Sequence, residues 1–483
     1  MLVAVALLSG CAAEPDVAAP EPAIGFADAL SDGVTGPGMD VHLQKLQEIA
    51  DAHGGNRADG SPGYAASVDY VVKALQDKGF EVQTPEFERL KTLNSGKPPV
   101  TVGGRTFQVD QASLLLPTPP GGITGPVLEP NRTPGCSAAD YPAEAARGGV
   151  AVVDDTGCSV VTKQKAATAK GAAALVVISA GGRNGSPPGL FEPGYFEALA
   201  LPVAVIGNDG GAALRRANGP AKVVLDGKTV RLRSRNILAQ TKTGNAREVV
   251  MVGAHLDSVQ AGPGINDNGS GVAAVLETAL QMGAEAPVTN AVRFAFWGAE
   301  EDRLAGSIDY VFGLTRDQLN DIALYLNLDM IGSPNAGFFT YDGDQSGVAG
   351  ADVDEDVPIG SAGLERTLAG YLNLAGKRSA DTPLLANTDV SAFLTAGVPV
   401  GGVTTGGPQD KTNVQARLWG GKAGEPFDPN YHGPRDTAKA VNRDALALMG
   451  SAVAFAVGTY AESIEGDNGV PTRDKRHRPA MGP

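Results

Sequence analysis

Positive charge is scarce in this sequence, because 54 Asp and Glu residues outnumber 39 Lys and Arg residues in a chain of 483. The formal net charge is −15. This balance argues against a nucleic acid partner, since a polyanion binds to basic surfaces. It suits metal ions or cationic substrates, although a solvated, soluble surface is its most ordinary meaning.

A long hydrophobic run is missing from the N-terminus. The chain begins MLVAVALLSGC, an apolar stretch too short to span a bilayer. The small residues before Cys11 resemble the end of a bacterial lipoprotein signal, in which the cysteine becomes lipidated, but the usual positively charged start is absent. The alternative is a short apolar N-terminus with an incidental cysteine. We expect residues 1–11 to be the signal, and residues 12–38, rich in Ala, Pro, Glu and Gly, to be a flexible tether.

Cysteine is equally scarce, with three residues in all, so that only Cys136 and Cys158 remain after the signal. The signal predicts an exported protein, either lipid-anchored to the outer face of the bacterial cell membrane or secreted. An even pair of cysteines in an exported chain predicts a disulfide, and two unpaired buried thiols are the alternative.

The length of the chain predicts two folded units. Residues 39–94 and 233–463 contain the apolar spacing of two helices, then strand–helix alternation and a closing apolar helix. Continuous apolar strands such as EVVMVGAHLD predict a sheet that is buried on both faces. We expect an α/β fold with a mixed, mostly parallel sheet covered by helices on both faces, followed by a tail over 464–483.

Residues 95–232 have a different texture, rich in proline and in short strands. Their middle runs from strand GVAVVDD to helix VTKQKAATAKG, and then to strands AALVVIS and LPVAVIG. This order, with the two cysteines flanking the first strand, resembles a protease-associated domain. The segment has no histidine and no carboxylates clustered at apolar strand ends. We expect an inserted module that covers or restricts a neighbouring site.

Histidine is rare as well, yet one of the 5 lies in GAHLDSVQAGPGINDNGSG, directly after an apolar strand. Polar residues end three successive predicted strands: His255 and Asp257, then Glu300 and Glu301, then Asp329. The carboxyl ends of strands in an open α/β sheet meet at one edge, so these side chains should converge. Imidazole and carboxylate ligands suit zinc, and Asp267 in its glycine-flanked turn is placed to reach two ions. A lone aspartate is usually a helix cap, but the whole set predicts a two-metal hydrolytic site.

The motifs GAHLDSV, GINDNGSGVAAVLETAL, FAFWGAEE, YLNLDMIGSPN and YHGPRDT resemble those of co-catalytic zinc aminopeptidases, of the secreted bacterial leucyl aminopeptidase and aminopeptidase Y type. The resemblance covers residues 40–94 and 234–462, and implies two Zn²⁺ per chain and attack by a metal-bridged water. It implies these ligands: His255 and Asp329 on one ion, Glu301 and His432 on the other, and Asp267 bridging both. It also implies these roles: Glu300 as general base and then acid, Asp257 orienting His255, and Tyr431 stabilising the oxyanion. A cis peptide after the bridging aspartate is common in this family.

The sequence departs from the family before the strand GVPVGG. Relatives often carry Arg-Ser-Asp-His or Arg-Ser-Asp-Tyr there, whereas residues 387–390 read NTDV. Asp389 is retained, and we expect it to help Glu300 and Asp329 attract the ammonium group of a substrate. No arginine accompanies these three acids in their motifs, so a clamp for a C-terminal carboxylate is missing and peptides with a free N-terminus are favoured. The resemblance also points to the amine end, and a modest apolar pocket would favour a leucine-like first residue. We expect a monomer.

Three rival hypotheses remain: a glutaminyl cyclase-like enzyme with a single zinc, a carboxypeptidase, and a receptor-like or scaffold protein without catalysis. The complete ligand set argues against the last of these. We do not expect His42, His53 or His477 to bind metal. Trp297 and Trp419 are expected in the core or in a pocket wall.

Overall fold

The computed structural model describes residues 25–92, 98–113, 115–132, 134–143, 147–179, 198–216, 219–347, 357–384 and 388–478. The predicted signal with Cys11, and most of the predicted tether, lie outside the described residues, as does Asn387.

The helices are α1 Phe26–Gly33, α2 Gly36–Ala52, α3 Pro62–Asp77, α4 Val160–Ala169, α5 Asn208–Arg215, α6 Gly271–Met282, α7 Ala305–Phe312, α8 Arg316–Asp321, α9 Ser361–Leu374, α10 Val390–Thr395, α11 Asn413–Trp419 and α12 Arg443–Glu462. The strands are β1 Glu81–Gln83, β2 Glu86–Thr92, β3 Pro99–Val102, β4 Arg105–Gln108, β5 Gln111–Ala112, β6 Ile123–Gly125, β7 Val127–Leu128, β8 Gly149–Asp154, β9 Ala172–Ser179, β10 Val203–Gly207, β11 Ala221–Val223, β12 Thr229–Arg235, β13 Ile237–Gln240, β14 Asn245–His255, β15 Asn290–Trp297, β16 Ile322–Leu328, β17 Phe339–Tyr341, β18 Ala380–Thr382 and β19 Val400–Thr404.

The main sheet has eight strands in the order β1-β13-β15-β14-β16-β19-β17-β18. Its four central strands, β15, β14, β16 and β19, run parallel, while β1, β13 and β17 join by antiparallel pairing. Helices cover both faces, so the expected α/β class and the mixed, mostly parallel sheet are confirmed. Parallel order at the centre brings the carboxyl ends of three consecutive strands to one edge.

The continuous apolar run of β14 is explained by burial on both sides. Val250 and Val252 face a core built from α2, α3, α6 and α12, while Val249 and Met251 face a second core with α7, α8 and α10. Side chains alternate across a strand, so each face receives its own apolar set. Helix α12 is long and apolar enough to span a bilayer, but 67% of its most apolar window is buried, as in a core helix.

The predicted tether ends earlier than Gly38. Phe26 begins α1, which packs on α12, and Leu30 is buried there. Helix α2 starts where the side chain of Thr35 accepts a hydrogen bond from the main-chain N–H of Gly38. The Ala, Pro and Gly content that suggested a flexible segment conceals a short amphipathic helix.

The predicted tail over 464–483 is folded over its described part, which ends at residue 478. Ile464 and Val470 are buried in the main core. Arg476 and Arg478 are buried too, and the guanidinium group of Arg476 donates to the carbonyl of Asn320 in α8. These guanidinium groups satisfy main-chain carbonyls at the end of α8.

The inserted module leaves the α/β domain through an antiparallel ribbon of β2 and β12, in which Thr92 pairs with Thr229. Arg89 of this ribbon is buried and forms ion pairs with Asp59 and with Asp302, which directly follows the glutamate pair. The ribbon is therefore tied to the loop that carries two predicted site residues.

Beyond the ribbon, a five-stranded sheet, β5-β10-β9-β8-β7, packs against a four-stranded one, β4-β3-β11-β6. Val150 and Val152 of β8 lie between the two sheets, and Ala151 and Val153 face the opposite core, in which α4 packs. The predicted order of strand, helix and two strands is confirmed by β8, α4, β9 and β10. The predicted disulfide joins Cys136 to Cys158, with 6.0 Å between the Cα atoms.

Candidate metal centre

The three predicted strand ends do converge. His255 is the last residue of β14, Asp329 directly follows β16, and the glutamate pair follows β15 after a turn of two residues. The backbone is left-handed at Ala299 and Met330, with φ of 55° and 53°. Non-glycine residues rarely adopt this conformation, and it tends to be retained where side chains must be aimed at a site.

Two groups of ligand-type atoms overlap at Asp267. In the first group, Nε2 of His255 lies 3.2 Å from Oδ1 of Asp267 and 3.5 Å from Oδ1 of Asp329. In the second, Nε2 of His432 lies 3.2 Å from Oδ2 of Asp267 and 3.1 Å from Oε2 of Glu301. Each group places three ligand atoms within 4.8 Å of one another. One carboxylate thus faces both groups, one oxygen to each.

The turn that carries Asp267 is held by main-chain hydrogen bonds. Gly264 has φ of 63°, and a side chain there would collide with Ser258 and with the main-chain oxygen of Asp267. Both carboxylate oxygens of Asp436 accept main-chain N–H groups, from Asn266 at 2.7 Å and from Asp267 at 3.0 Å. The Asp267–Asn268 peptide is cis, the feature common in the resembled family.

Arg57 fixes the same turn from the other side. Its side chain is fully buried and donates to the carbonyls of Leu256, Pro263 and Gly264. Burial lowers the pKa of Arg57 to about 10, while the charge of Asp257 opposes the shift, so the guanidinium stays charged at neutral pH. Neither Arg57 nor Asp436 was predicted as a site residue, although Asp436 lies inside the motif YHGPRDT.

Asp257 contacts both halves of the centre. Nδ1 of His255 lies 3.1 Å from the main-chain oxygen of Asp257 and 3.7 Å from its carboxylate. That carboxylate accepts hydrogen bonds from the main-chain N–H groups of Glu300, at 3.1 Å, and Glu301, at 3.3 Å. The main-chain oxygen is thus the nearer partner of the histidine, and the carboxylate holds the turn of the glutamate pair.

Glu300 lies at the edge of the first group, with Oε2 3.8 Å from Nε2 of His255. Burial raises the pKa of Glu300 well above its ordinary value, and the charges of Asp389, Asp329 and Glu301 raise it further, while His255 opposes the shift. A carboxyl group of raised pKa can both accept and return a proton near neutral pH, as a general base and acid must.

Asp389, the expected substrate-binding residue, lies beneath the wall of the cleft. It is 1% exposed, whereas its neighbours Thr388 and Val390 line the cleft, so a substrate meets those two residues first. One carboxylate oxygen, Oδ1, has no hydrogen-bond partner among the described residues. Burial raises the pKa of Asp389 to about 7, and its charge acts on Glu300.

Tyr431 and His432 lie on the open side of the centre. Their rings stack with centroids 3.8 Å apart, and His432 has a left-handed φ of 54°. Tyr431 is 36% exposed and lines the cleft, so its phenol is accessible to a substrate. The left-handed backbone at His432 allows two consecutive aromatic side chains, Tyr431 and His432, to line the same cleft.

The described part of the centre holds far more negative than positive charge. Seven carboxylates lie near two imidazoles and one guanidinium. The carboxylates are those of Asp257, Asp267, Glu300, Glu301, Asp329, Asp389 and Asp436, and the other groups are those of His255, His432 and Arg57. Oε1 of Glu301 and Oδ1 of Asp329 are buried without a hydrogen-bond partner among the described residues. Buried carboxylates are unfavourable unless they are paired or bound to a metal, so the residues fit divalent cations.

A cleft of about 1100 Å³ opens above these groups. Part of its wall is apolar: Met330, Phe339, Tyr341, Leu384, Val390 and Phe427. Arg303 also lines the cleft, a cation that the matched motifs did not contain. The inserted module, expected to cover or restrict a neighbouring site, contributes Asp110 and Gln111 to the lining.

Of the remaining histidines, His42 and His53 have local partners. The ring of His42 contacts the hydroxyl of Tyr70 at 2.6 Å and the carboxylate of Glu277 at 3.1 Å, and Nδ1 of His53 contacts the carbonyl of Ile49. Trp297 is fully buried and donates to the hydroxyl of Tyr325, as expected of a core residue.

Comparison with known proteins decides the family. A probable lipoprotein aminopeptidase from Mycobacterium tuberculosis, LpqL, is 48% identical over 461 residues, covering 94% of this chain and 90% of the relative. An aminopeptidase from Pseudomonas aeruginosa is 38% identical over 430 residues, covering 86% and 78%. The model of peptidase family M28 matches residues 236–457. The chain belongs to peptidase family M28.

The M28 assignment makes this chain a metallo-aminopeptidase, a hydrolase of peptide bonds. The PA domain model matches residues 123–214, inside the segment expected to form the insertion. Among solved structures, an aminopeptidase from Aneurinibacillus sp. strain AM-1 superposes with a TM-score of 0.58 at 22% identity, covering 90% of this chain and 96% of that one. This likeness supports the fold of the M28 domain.

Proposed function

We propose that the protein is an exported zinc aminopeptidase that binds two Zn²⁺ ions and removes apolar N-terminal residues from peptides. The observation that carries the proposal is the position of Asp267, whose two carboxylate oxygens each face a separate group of ligand atoms. A single-ion enzyme such as a glutaminyl cyclase does not require a carboxylate that reaches two ions. The overlap of the two ligand groups at Asp267 therefore favours two ions over one.

The donor set supports zinc as the metal. His255, Asp267 and Asp329 would hold one ion, and Asp267, Glu301 and His432 would hold the other, a mixture of imidazole and carboxylate that suits zinc. When bound, such a pair polarises the scissile carbonyl and lowers the pKa of a water molecule. Glu300 takes the proton of the attacking water and returns it to the leaving amine, and Tyr431 donates to the developing oxyanion.

Charge in the cleft favours the amine end of a peptide. Apart from the proposed metal ligands, the acidic residues that line it are Asp110, Glu300, Asp381 and Asp410, whereas Arg303 is the one arginine or lysine in the described lining. Such a field attracts an ammonium group and repels a carboxylate. Asp389 contributes to this field from beneath Thr388 and Val390. The apolar part of the wall suits a leucine-like side chain.

The localisation is proposed on two grounds. The sequence before Cys11 resembles a lipoprotein signal, and the similar protein from Mycobacterium tuberculosis is itself described as a lipoprotein. We propose export with lipidation of Cys11, with secretion as the alternative. Acyl modification detected by mass spectrometry on the membrane fraction supports the anchor, and full-length protein in the medium without acyl groups contradicts it.

The activity is tested with leucine anilide and its N-acetylated form. We expect cleavage of the free amine alone, because acetylation removes the positive charge that the cleft attracts. Chelation should abolish cleavage and lower the thermal midpoint, and zinc should restore both, since ligands that bind the folded state stabilise it. Equal cleavage of both anilides contradicts the proposal, and full activity with one zinc per chain contradicts the two-ion centre.

A further inference from the structure

The inserted domain reaches the reaction space through one strand. Gln111 begins β5, the edge strand of the five-stranded sheet, where it pairs with Val205 of β10. Gln111 and its neighbour Asp110 line the same cleft as Glu300 and His432. All the candidate metal ligands belong to the α/β domain. Asp110 and Gln111 therefore show that the inserted domain also forms part of the wall of the cleft.

Gln111 is buried, yet its side chain makes no hydrogen bond within the described chain. It is 5% exposed, and neither Nε2 nor Oε1 has a partner among the described residues. A carboxamide that loses its hydration without gaining a partner is unfavourable in a folded protein. Such a group in the wall of a cleft indicates a ligand that completes its hydrogen bonding.

The chemistry of the carboxamide selects the class of ligand. It presents a donor and an acceptor side by side, which match the C=O and N–H of a peptide main chain. The cleft, at about 1100 Å³, slightly exceeds the roughly 300–1000 Å³ typical of pockets for small ligands. In an aminopeptidase, only one residue precedes the scissile bond, so further residues of a peptide extend across the rest of the cleft.

We propose that Gln111 binds the main chain of the substrate beyond the scissile bond, so that the inserted domain selects peptides of three or more residues over short amides. The inference rests on the proposed aminopeptidase function and specifies its substrate class. Gln111 binds substrate in this account and takes no part in proton transfer.

The experiment measures kcat/KM of the full chain for Leu-Gly-Gly and for leucine amide. In Gln111→Leu, we expect the ratio of the two values to fall about 3- to 10-fold, the effect of one lost hydrogen bond, mainly through a higher KM for the tripeptide. The thermal midpoint should equal or exceed that of the wild type, because the substitution removes a polar group without partners. A purely structural role for Gln111 would lower that midpoint.

Gln164→Leu is the matched control. Gln164 is also buried in the inserted domain, but its carboxamide bonds to the carbonyl of Ala198 and to the N–H of Ala200. We expect this variant to lose stability and to keep the wild-type ratio. An unchanged ratio in Gln111→Leu, or equal losses on both substrates, would overturn the inference. A wild-type protein that cleaves neither substrate would overturn the proposed function instead.

Discussion

At the scale of single residues, the glutamate pair shows how neighbours in sequence take different positions. Oε2 of Glu301 contacts His432 at 3.1 Å, whereas Oε2 of Glu300 stands 3.8 Å from His255. Both backbones are held by the carboxylate of Asp257, so the two side chains diverge from a fixed turn.

Glu300→Gln should reduce kcat by about 10²- to 10⁴-fold, because the amide cannot accept and return a proton. Zinc content should stay near that of the wild type. Glu301→Gln is the control and should lose zinc, since it removes a ligand atom. The measurements are steady-state kinetics and metal analysis, and the opposite pattern of zinc loss would reverse the two assignments.

Arg57→Leu tests the support beneath the bridging aspartate. The substitution leaves the carbonyls of Leu256, Pro263 and Gly264 buried without their donor. We expect the free energy of unfolding to fall by roughly 3 kcal/mol or more, and zinc affinity to weaken, because each unpaired group costs about 1–3 kcal/mol. Urea unfolding and zinc titration measure the two effects.

Lys73→Ala is the control for that experiment. Lys73 pairs with Asp77 on the exposed surface of α3, so its loss should change stability by less than about 1 kcal/mol. Similar destabilisation of both variants would show that the buried hydrogen bonds of Arg57 contribute no more to the free energy of unfolding than an exposed ion pair does.

The metal ligands could be predicted from sequence because they stand at strand ends, where topology forces convergence. Arg57 and Asp436 could not, since they act through main-chain groups of a turn far away in sequence. Gln111 escaped notice for a similar reason. Neither its residue type nor its surroundings resemble a catalytic motif, and its importance arises only where two domains meet.

At the scale of elements, the long strands and helices of the α/β domain were predicted, and the short helix at its start was missed. Helix α1 has only eight residues in a segment rich in Ala, Pro and Gly. Its apolar face is buried mainly by packing on α12. Short helices gain most of their stability from such packing, which no local pattern reports.

Helix α9 carries a carboxyl group whose charge opposes folding. Glu365 accepts hydrogen bonds from the N–H groups of Gly343 and Asp344. Burial, with Asp344 and Asp381 adding to it, raises the pKa of Glu365 from 4.5 to about 7. Asp342 is the other acidic residue of this group. The native state therefore keeps a proton that the unfolded chain releases, and stability falls as pH rises through this range.

Glu365→Gln should weaken this pH dependence, because the neutral amide has no proton to lose. Between pH 5 and pH 8, we expect the free energy of unfolding to fall less in this variant than in the wild type, by roughly 1–3 kcal/mol. Urea unfolding at the two pH values provides the measurement. Glu462→Gln, on the exposed end of α12, is the control and should keep the wild-type slope; equal slopes in all three proteins would contradict the argument.

At the scale of the whole molecule, the ribbon of β2 and β12 allows the inserted domain to be removed cleanly. Thr92 and Thr229 face each other across the ribbon, so a two-residue Asn-Gly turn can join them in place of residues 93–228. The deletion variant should bind zinc normally, because no candidate ligand lies in that segment.

The same variant should lose the preference for tripeptides over leucine amide, since it lacks Gln111. Metal analysis and the kcat/KM ratio for the two substrates measure the outcome. The control is a variant that carries Gln111→Leu in the intact chain, which should show the same direction of change. A folded, soluble deletion variant without zinc would mean that the insertion supports the metal centre itself.

The packing of α1 against α12 has a consequence for the order of folding. The first and last helices of the α/β domain are neighbours, although more than four hundred residues separate them. As an exported chain emerges N-terminus first, α1 lacks its main packing partner, α12, until the C-terminal end has emerged, whereas the inserted domain is complete much earlier. Contacts between such distant segments form slowly and leave apolar surface exposed in the meantime. The exported chain therefore carries a folded inserted domain between two incompletely folded segments of the α/β domain, and apolar surface stays exposed until α12 packs on α1.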